Sequence, residues 1–376
     1  GKGWTRADGW LDAGTEYCDW WGVSCYYGRT QVWKVDLQKN NIKGTLVPEV
    51  FLIPRLNTIG MWTNGLTGTL PASIGLATDL EILDLEFNKI AGTIPKELYG
   101  LRALKKLRLG ANALSGTVSA AVSQLQLLTH FHVYANRLTG TLPPSLFDIP
   151  YLQDLDILRN DLDGTFPEAL YHVPSLKYVG ISHNRFQGSV PETIGNLVLL
   201  NYFDISSNAF HGSLPDALGH LSLIELRLSD NNLTGSLPAS IYGMTSLRHL
   251  ELAGNSFNRT LSPAVGDLVS MEVWWGQRNN FTGHLPPELG RLTALREFNM
   301  HANRLVGIPP AEWGSAAALE TLLLGDNDLS GTVPADLCEV PMTSFVMDCG
   351  EGEAVECACC TGCCAGGVCT EVSTAG

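Results

Sequence analysis

The sequence predicts an α/β repeat solenoid, with a parallel β-sheet along its concave side and 3-10 turns or short helices along its convex side. Three observations carry that prediction. First, an asparagine returns at Asn40, Asn64, Asn88, Asn112, Asn136, Asn160, Asn184, Asn208, Asn231, Asn255, Asn279, Asn303 and Asn327. The interval is 24 residues at every step but Asn208 to Asn231, where it is 23, and a fixed period of this length marks a stacked-repeat architecture. Second, two apolar residues ahead of each asparagine, such as Leu107 and Leu109, alternate with polar ones, the period of a short strand with one buried face. Third, a glycine follows the asparagine four residues later, as at Gly116, Gly140 and Gly164, and permits a tight bend. A proline usually comes next, where no strand hydrogen bond is needed. No unit can bury its apolar face alone, so the units must stack and share one core. The asparagine amides are expected to form a ladder that satisfies buried backbone groups of successive turns.

The unit reads L-x-x-L-x-L-x-x-N-x-L-x-G-x-(L/I/V)-P-x-x-(L/I), shown well by residues 80–95 and 221–238. It resembles the plant-type leucine-rich repeat over roughly residues 18–349. The resemblance implies a curved right-handed superhelix and a place among the secreted or cell-surface recognition proteins of plants and algae. It names no ligand, because one scaffold of this kind serves many. The expected organisation is an N-terminal disulfide cap over residues 1–31, thirteen 24-residue repeats over 32–336, and a C-terminal cap with a cysteine-rich tail over 337–376.

Composition narrows the function. The formal net charge is −14, with 24 Lys and Arg against 38 Asp and Glu, which argues against nucleic acid and anionic membrane surfaces as partners. No run of 18 apolar residues is present, so no membrane span is read. Gly1 to Trp10 read as the middle of a cap, so an upstream signal and helix are expected in the full chain.

At the N-terminal end, Cys18-Asp19-Trp20-Trp21-Gly22-Val23-Ser24-Cys25 resembles the plant-type cap C-x-W-x-G-V-x-C. The resemblance implies a Cys18–Cys25 disulfide, with Trp10 or Trp20 packed on the first repeat. At the other end Cys338 and Cys349 bracket an atypical last unit and are expected to pair. Cys357, Cys359, Cys360, Cys363, Cys364 and Cys369 then allow 15 connectivities, among which the sequence does not choose. Long-range links are expected, since vicinal cysteines do not easily bond to each other. Such a tail is similar to the cysteine-rich ends of secreted repeat proteins of algae such as diatoms. A metal-thiolate reading of the run is outweighed by the oxidising compartment that the repeat type implies.

The outward strand positions lie six, four and two residues before each asparagine, and neighbouring strands sit ~4.8 Å apart, so these columns map the concave face. One feature of the map is a line of aromatics, Trp62, Phe87, Tyr134, Tyr178, Tyr202 and Trp275, of the type that anchors protein or sugar partners. The other is a block of charge in which Lys106 and Arg108 neighbour His130 and His132, which neighbour Asp154 and Asp156. Two histidines beside two aspartates can be read as a metal site, but an ion-pair patch or partner contact is the expectation. No nucleophile stands beside this pair and no enclosed pocket is implied, so no catalytic residue and no cofactor are assigned.

Repeats 9 to 12 are less regular. A residue is missing near Ser222, Arg259 replaces a turn glycine, and Gly307-Ile308-Pro309 reads as another deletion. Trp274 takes an inward leucine position while Gly276 vacates another, so the indole is expected to fill the vacated space. Three N-glycosylation sequons begin at Asn232, Asn258 and Asn280 in or beside this zone, on the turn side of the ladder. Together these features favour an extracellular module that recognises a protein, peptide or polysaccharide through its concave face. The alternative is a glycoprotein subunit of an extracellular coat, wall or filament, joined to its neighbours by self-assembly or co-assembly.

Overall fold

The structure is a computed structural model that describes residues 3–10, 12–26, 28, 30–165, 167–348, 355–365 and 368–371. It is an α/β solenoid of leucine-rich repeats, and the chain divides into two compact units, residues 1–186 and 187–376.

In the first unit, Val23–Cys25 runs antiparallel to Val32–Asp36. Parallel strands follow at Thr58–Gly60, Ile82–Asp84, Lys106–Arg108, His130–His132, Asp154–Asp156 and Tyr178–Gly180. The pairing keeps every repeat in the same register: Leu83 faces Leu107, which faces Phe131, which faces Leu155. These inward residues have no exposed surface, and each contributes on the order of 1.5–3 kcal/mol by leaving water. In the second unit the same sheet pattern runs from Tyr202–Asp204 through Glu225–Arg227, His249–Glu251, Val273–Trp275, Glu297–Asn299 and Thr321–Leu323 to Ser344–Asp348. The chain returns between strands through five-residue 3-10 turns such as Lys96–Gly100, entered from a proline with extended backbone and closed on a buried leucine, and after Thr321–Leu323 through the four-residue α-helix Ala335–Cys338. Among the described residues no helix is long and apolar enough to cross a membrane.

The asparagine ladder is present. In a typical rung, Asn88 Nδ2 donates to the carbonyls of Leu85 (3.0 Å) in its own turn and Met61 (2.9 Å) in the preceding one. Its Oδ1 accepts from the N–H of Leu66 at 3.0 Å. One repeat on, Asn112 does the same with Leu109, Leu85 and Ile90.

Short second-sheet strands run beside the ladder, including Ala113–Gly116 and Arg137–Thr141 in the first unit. The turn glycine is required there on two counts. Gly116 has φ +82°, and a Cβ on it would sit 2.9 Å from the Thr93 methyl of the preceding repeat.

Several sequence expectations are met and others are corrected. Cys18 is bonded to Cys25. Trp10 and Trp20 stack on each other at 4.7 Å, and both line an apolar cavity of about 520 Å³ together with Val35, Leu37 and Ile42 of the first repeat. The missing residue near Ser222 is absorbed in the loop between the 3-10 turn Asp216–His220 and the strand Glu225–Arg227, so sheet register is kept. Trp274 is fully buried, and a Cβ on Gly276 would meet both its indole nitrogen and the sulfur of Met300. The vacated volume is therefore shared by two side chains.

No residue is deleted at Gly307-Ile308-Pro309. Asn303 to the turn Ala311–Ser315 spans the same interval as Asn279 to the turn Pro287–Arg291, and Pro309 is buried where Leu285 is buried one repeat earlier. The pairing of Cys338 with Cys349 is also overturned: Cys338 bonds Cys359, and Cys349 lies outside the described residues. As expected, the vicinal pairs Cys359-Cys360 and Cys363-Cys364 are not bonded to each other; Cys359 makes the long link to Cys338, whereas Cys357–Cys360 and Cys364–Cys369 are local, and Cys363 is disulfide-bonded as well.

Arg259 occupies the turn-glycine position with φ +78°, a left-handed conformation that costs a side-chain-bearing residue roughly 1–2 kcal/mol. Arg259→Gly is expected to stabilise the protein by about 0.5–1 kcal/mol once the greater freedom of glycine in the unfolded chain is subtracted. Denaturant unfolding checks this, and a lower midpoint would show that Arg259 is held by contacts that outweigh the strain.

Candidate functional site

The outer face of the main sheet, the face predicted as concave, collects the sequence-selected residues, and each unit carries its own group. In the first unit the centre is Tyr134. Its ring leans across the neighbouring strand because Gly110 leaves that place empty; a Cβ there would collide with the ring. The ring of Phe87, half exposed, meets Tyr134 edge-on at 6.1 Å. Burial, then the negative charges of Glu86 and Asp156 and a hydrogen bond to Glu86, push the Tyr134 hydroxyl well above the usual phenol range.

Around this ledge the charges are ordered by row. Arg108 Nη1 lies 3.5 Å from Asp84. His132 Nδ1 lies 3.6 Å from Glu86 Oε1, which is buried without a hydrogen-bond partner. His130 turns the other way, with Nε2 2.9 Å from Asp154 and Nδ1 2.8 Å from the Thr129 hydroxyl. Burial raises the Asp154 carboxyl, but the His130 hydrogen bond and the charges of His130, His132 and Lys177 together outweigh it and hold the group below its ordinary value. Asp84 goes the opposite way, raised by burial and by Glu86 against the opposing Glu86 amide and Arg108. The two imidazoles thus serve different carboxylates and do not converge on one point. Among the described residues only His301, Cys364 and Cys369 bring three such donors together, and those two cysteines are bonded to each other.

Some of these acids have a structural task as well. Asp84 Oδ1 accepts the N–H of Glu86 and Asp156 Oδ1 that of Leu158, both two residues on. Asp204 and Asn299 do the same for Ser206 and His301 in the second unit. In these four repeats the side chain four before the ladder asparagine ties down the backbone leaving the strand.

Two more selected aromatics belong to the first unit. Trp62 holds Lys39 over its ring at 4.6 Å. Tyr178 folds back over Gly180, whose added Cβ would lie 2.9 Å from its ring. In the second unit the Arg227 guanidinium lies 5.6 Å from the Tyr202 ring centre and pairs with Glu225 (2.8 Å) and Glu251 (3.3 Å). The Trp275 indole N–H donates to Glu297 at 3.1 Å. Tyr202 and Trp275 stand three strands apart there, so the aromatics are separate stations and not a line. Glu86, Gly110 and the Arg227 cluster were not selected from sequence. The signal was present in the columns: glycines at 110 and 180 are outward positions with no side chain beside a tyrosine that needs room.

The sequon asparagines lie on the second sheet of the second unit. Asn232 and Asn258 are exposed, and Asn280, less exposed, is the register partner of Asn258.

Comparison with known proteins agrees with the repeat. Leucine-rich-repeat family models match residues 79–101, 150–210 and 222–244. No curated protein sequence matches the chain. Among solved structures, a plant peptide hormone receptor, RGFR1 in complex with RGF2, is 34% identical over 84% of this chain and 50% of that one, with a TM-score of 0.79. A TDR receptor is 28% identical over 83% and 56%, with a TM-score of 0.80. The ectodomain of the membrane receptor kinase GASSHO1/SCHENGEN3 from Arabidopsis thaliana, in complex with CASPARIAN STRIP INTEGRITY FACTOR 2, is 29% identical over 85% and 43%, with a TM-score of 0.74. The chain thus spans about half the length of these structures. Fold and repeat together define a leucine-rich-repeat protein, and its repeats are of the plant type.

Tyr134 is expected to stay a neutral phenol where an ordinary tyrosine ionises, near pH ~10. Subtracting the Tyr134→Phe titration from that of the parent protein should therefore leave no phenolate absorbance up to about pH 11. A full tyrosine's worth of signal in the difference would place the ring in solvent instead.

Proposed function

We propose that the chain is an extracellular recognition module that binds a peptide or protein partner on the outer face of the main sheet. The observation that carries this reading is the Phe87–Tyr134 ledge: a half-exposed ring, braced by a second ring over a glycine, beside a dense charge cluster. Aromatic groups held rigid at the solvent boundary bind with little loss of conformational entropy, and fixed charges around them set orientation. In support, one similar protein is described as a peptide hormone receptor and another was solved in complex with a named factor. The disulfides suit an oxidising compartment. Glycans on Asn232, Asn258 or Asn280 would sit on the second sheet of their unit, beside the ladder. The work proposed is binding.

A photo-crosslinking group placed at position 87 is expected to capture the partner in material from the protein's own source, whereas the same group at the exposed Tyr151 on the turn side should not. Phe87→Ala should weaken the interaction about tenfold or more with the unfolding midpoint unchanged. Equal capture at both positions would move the working surface elsewhere.

A further inference from the structure

The charge balance around the ledge specifies what it accepts. With the imidazoles neutral, Asp84, Glu86, Asp154 and Asp156 along the four strands from Ile82–Asp84 to Asp154–Asp156 share this face with the cations Lys106 and Arg108. Lys105 is paired with Glu81, and Lys177, whose charge also reaches Asp154, removes only one unit of the excess, so a carboxylate surplus remains. The Glu86 oxygen nearest His132 has no hydrogen-bond partner, although the carboxylate also takes the Tyr134 hydroxyl. Phe87 and Tyr134 stand beside that carboxylate. The same face already seats a cation on an aromatic ring, Lys39 over Trp62, which is the geometry that attracts ammonium and guanidinium groups.

We propose that the Phe87–Tyr134 ledge receives a basic side chain of a peptide ligand, with Glu86 as its counter-charge, and that protonation of His132 releases it. The proposal rests on the recognition reading above and names the ligand's chemistry and its control. An incoming guanidinium or ammonium group lies on the Phe87 ring and pairs with Glu86. A histidine changes charge between about pH 5 and 8. Protonated His132 then supplies, from 3.6 Å away, the positive charge that the ligand would otherwise bring to Glu86. His130 is engaged by Asp154 and Thr129. The groups facing His132 from its own and adjoining strands are His130, Tyr134, Lys106, Arg108, Asp154 and Asp156, with Glu86 beyond, and of these only His130 is a second imidazole. Acidification therefore takes the cluster from a carboxylate excess towards neutrality.

The test is a displayed library of random short peptides, panned on the protein at about pH 7.5 and washed at about pH 5.5, either side of the histidine range. Peptides that share an arginine or lysine position, leave in the acid wash, and bind Glu86→Gln and Phe87→Ala about tenfold or more weaker are the expected result. In His132→Gln the same peptides should remain bound through the acid wash. Circular dichroism of each variant separates lost binding from lost fold. Peptides that depend on Phe87 but share no basic position, or that bind Glu86→Gln equally well, would overturn the proposal and leave the recognition reading standing. Acid release that persists in His132→Gln would overturn the switch. Peptides indifferent to Phe87 and Glu86 alike would count against both readings.

Discussion

The structure depends on one side chain repeated. The asparagine that closes each strand uses its whole amide: two donors reach carbonyls of its own turn and of the turn before, and the oxygen takes an N–H from the preceding repeat. The residue before it is forced into the left-handed region, with φ near +50° at Thr63, Phe87, Ala111 and Ala135, so the chain accepts local strain at each turn. A side chain with both donor and acceptor at that point is what makes the turn stackable. The ends show the same logic. Asn40, which has no earlier repeat to bond, exchanges hydrogen bonds with the backbone of Arg6 in the cap. At the other end Asp348 takes the place of asparagine and accepts the N–H groups of Asn327 and Leu329. Burial raises that carboxyl more than these bonds lower it.

The ladder also creates the working face. Because it fixes the period, residues at equal offsets from successive asparagines become neighbours across strands, and surface chemistry is written down columns 24 residues apart. Lys106, His130 and Asp154 touch for no other reason. A glycine in such a column is then a feature of the surface. Gly110 lets Tyr134 lie across the neighbouring strand and so brings its hydroxyl to Glu86, two repeats away.

This explains what could be read from the sequence. The repeat, the ladder and the inward and outward columns follow from spacing, the N-terminal disulfide was implied by resemblance to the plant-type cap, and burial of Leu107 and Leu109 beside half-exposed Arg108 agrees with the columns. Spacing does not say which way a side chain leans. The columns placed His132 beside Asp156, whereas its ring nitrogen lies 3.6 Å from Glu86, in the repeat two strands away. Disulfide connectivity has no period to betray it, so the partner of Cys338 was read incorrectly. Pro309 was mistaken for the sign of a deletion because proline there fills a leucine position.

The central claim is that the ladder, more than any single core residue, fixes the repeat. Asn160 in the first unit bonds the carbonyls of Val133 and Ile157 and the N–H of Leu138, all of them buried. The direct measurement is the denaturant unfolding free energy of Asn160→Ala against that of Arg137→Ala, an exposed residue of the same unit. The account predicts a loss of about 3–5 kcal/mol for the first, from several buried groups left without partners, and less than about 0.5 kcal/mol for the second. Equal and small losses for both would contradict it.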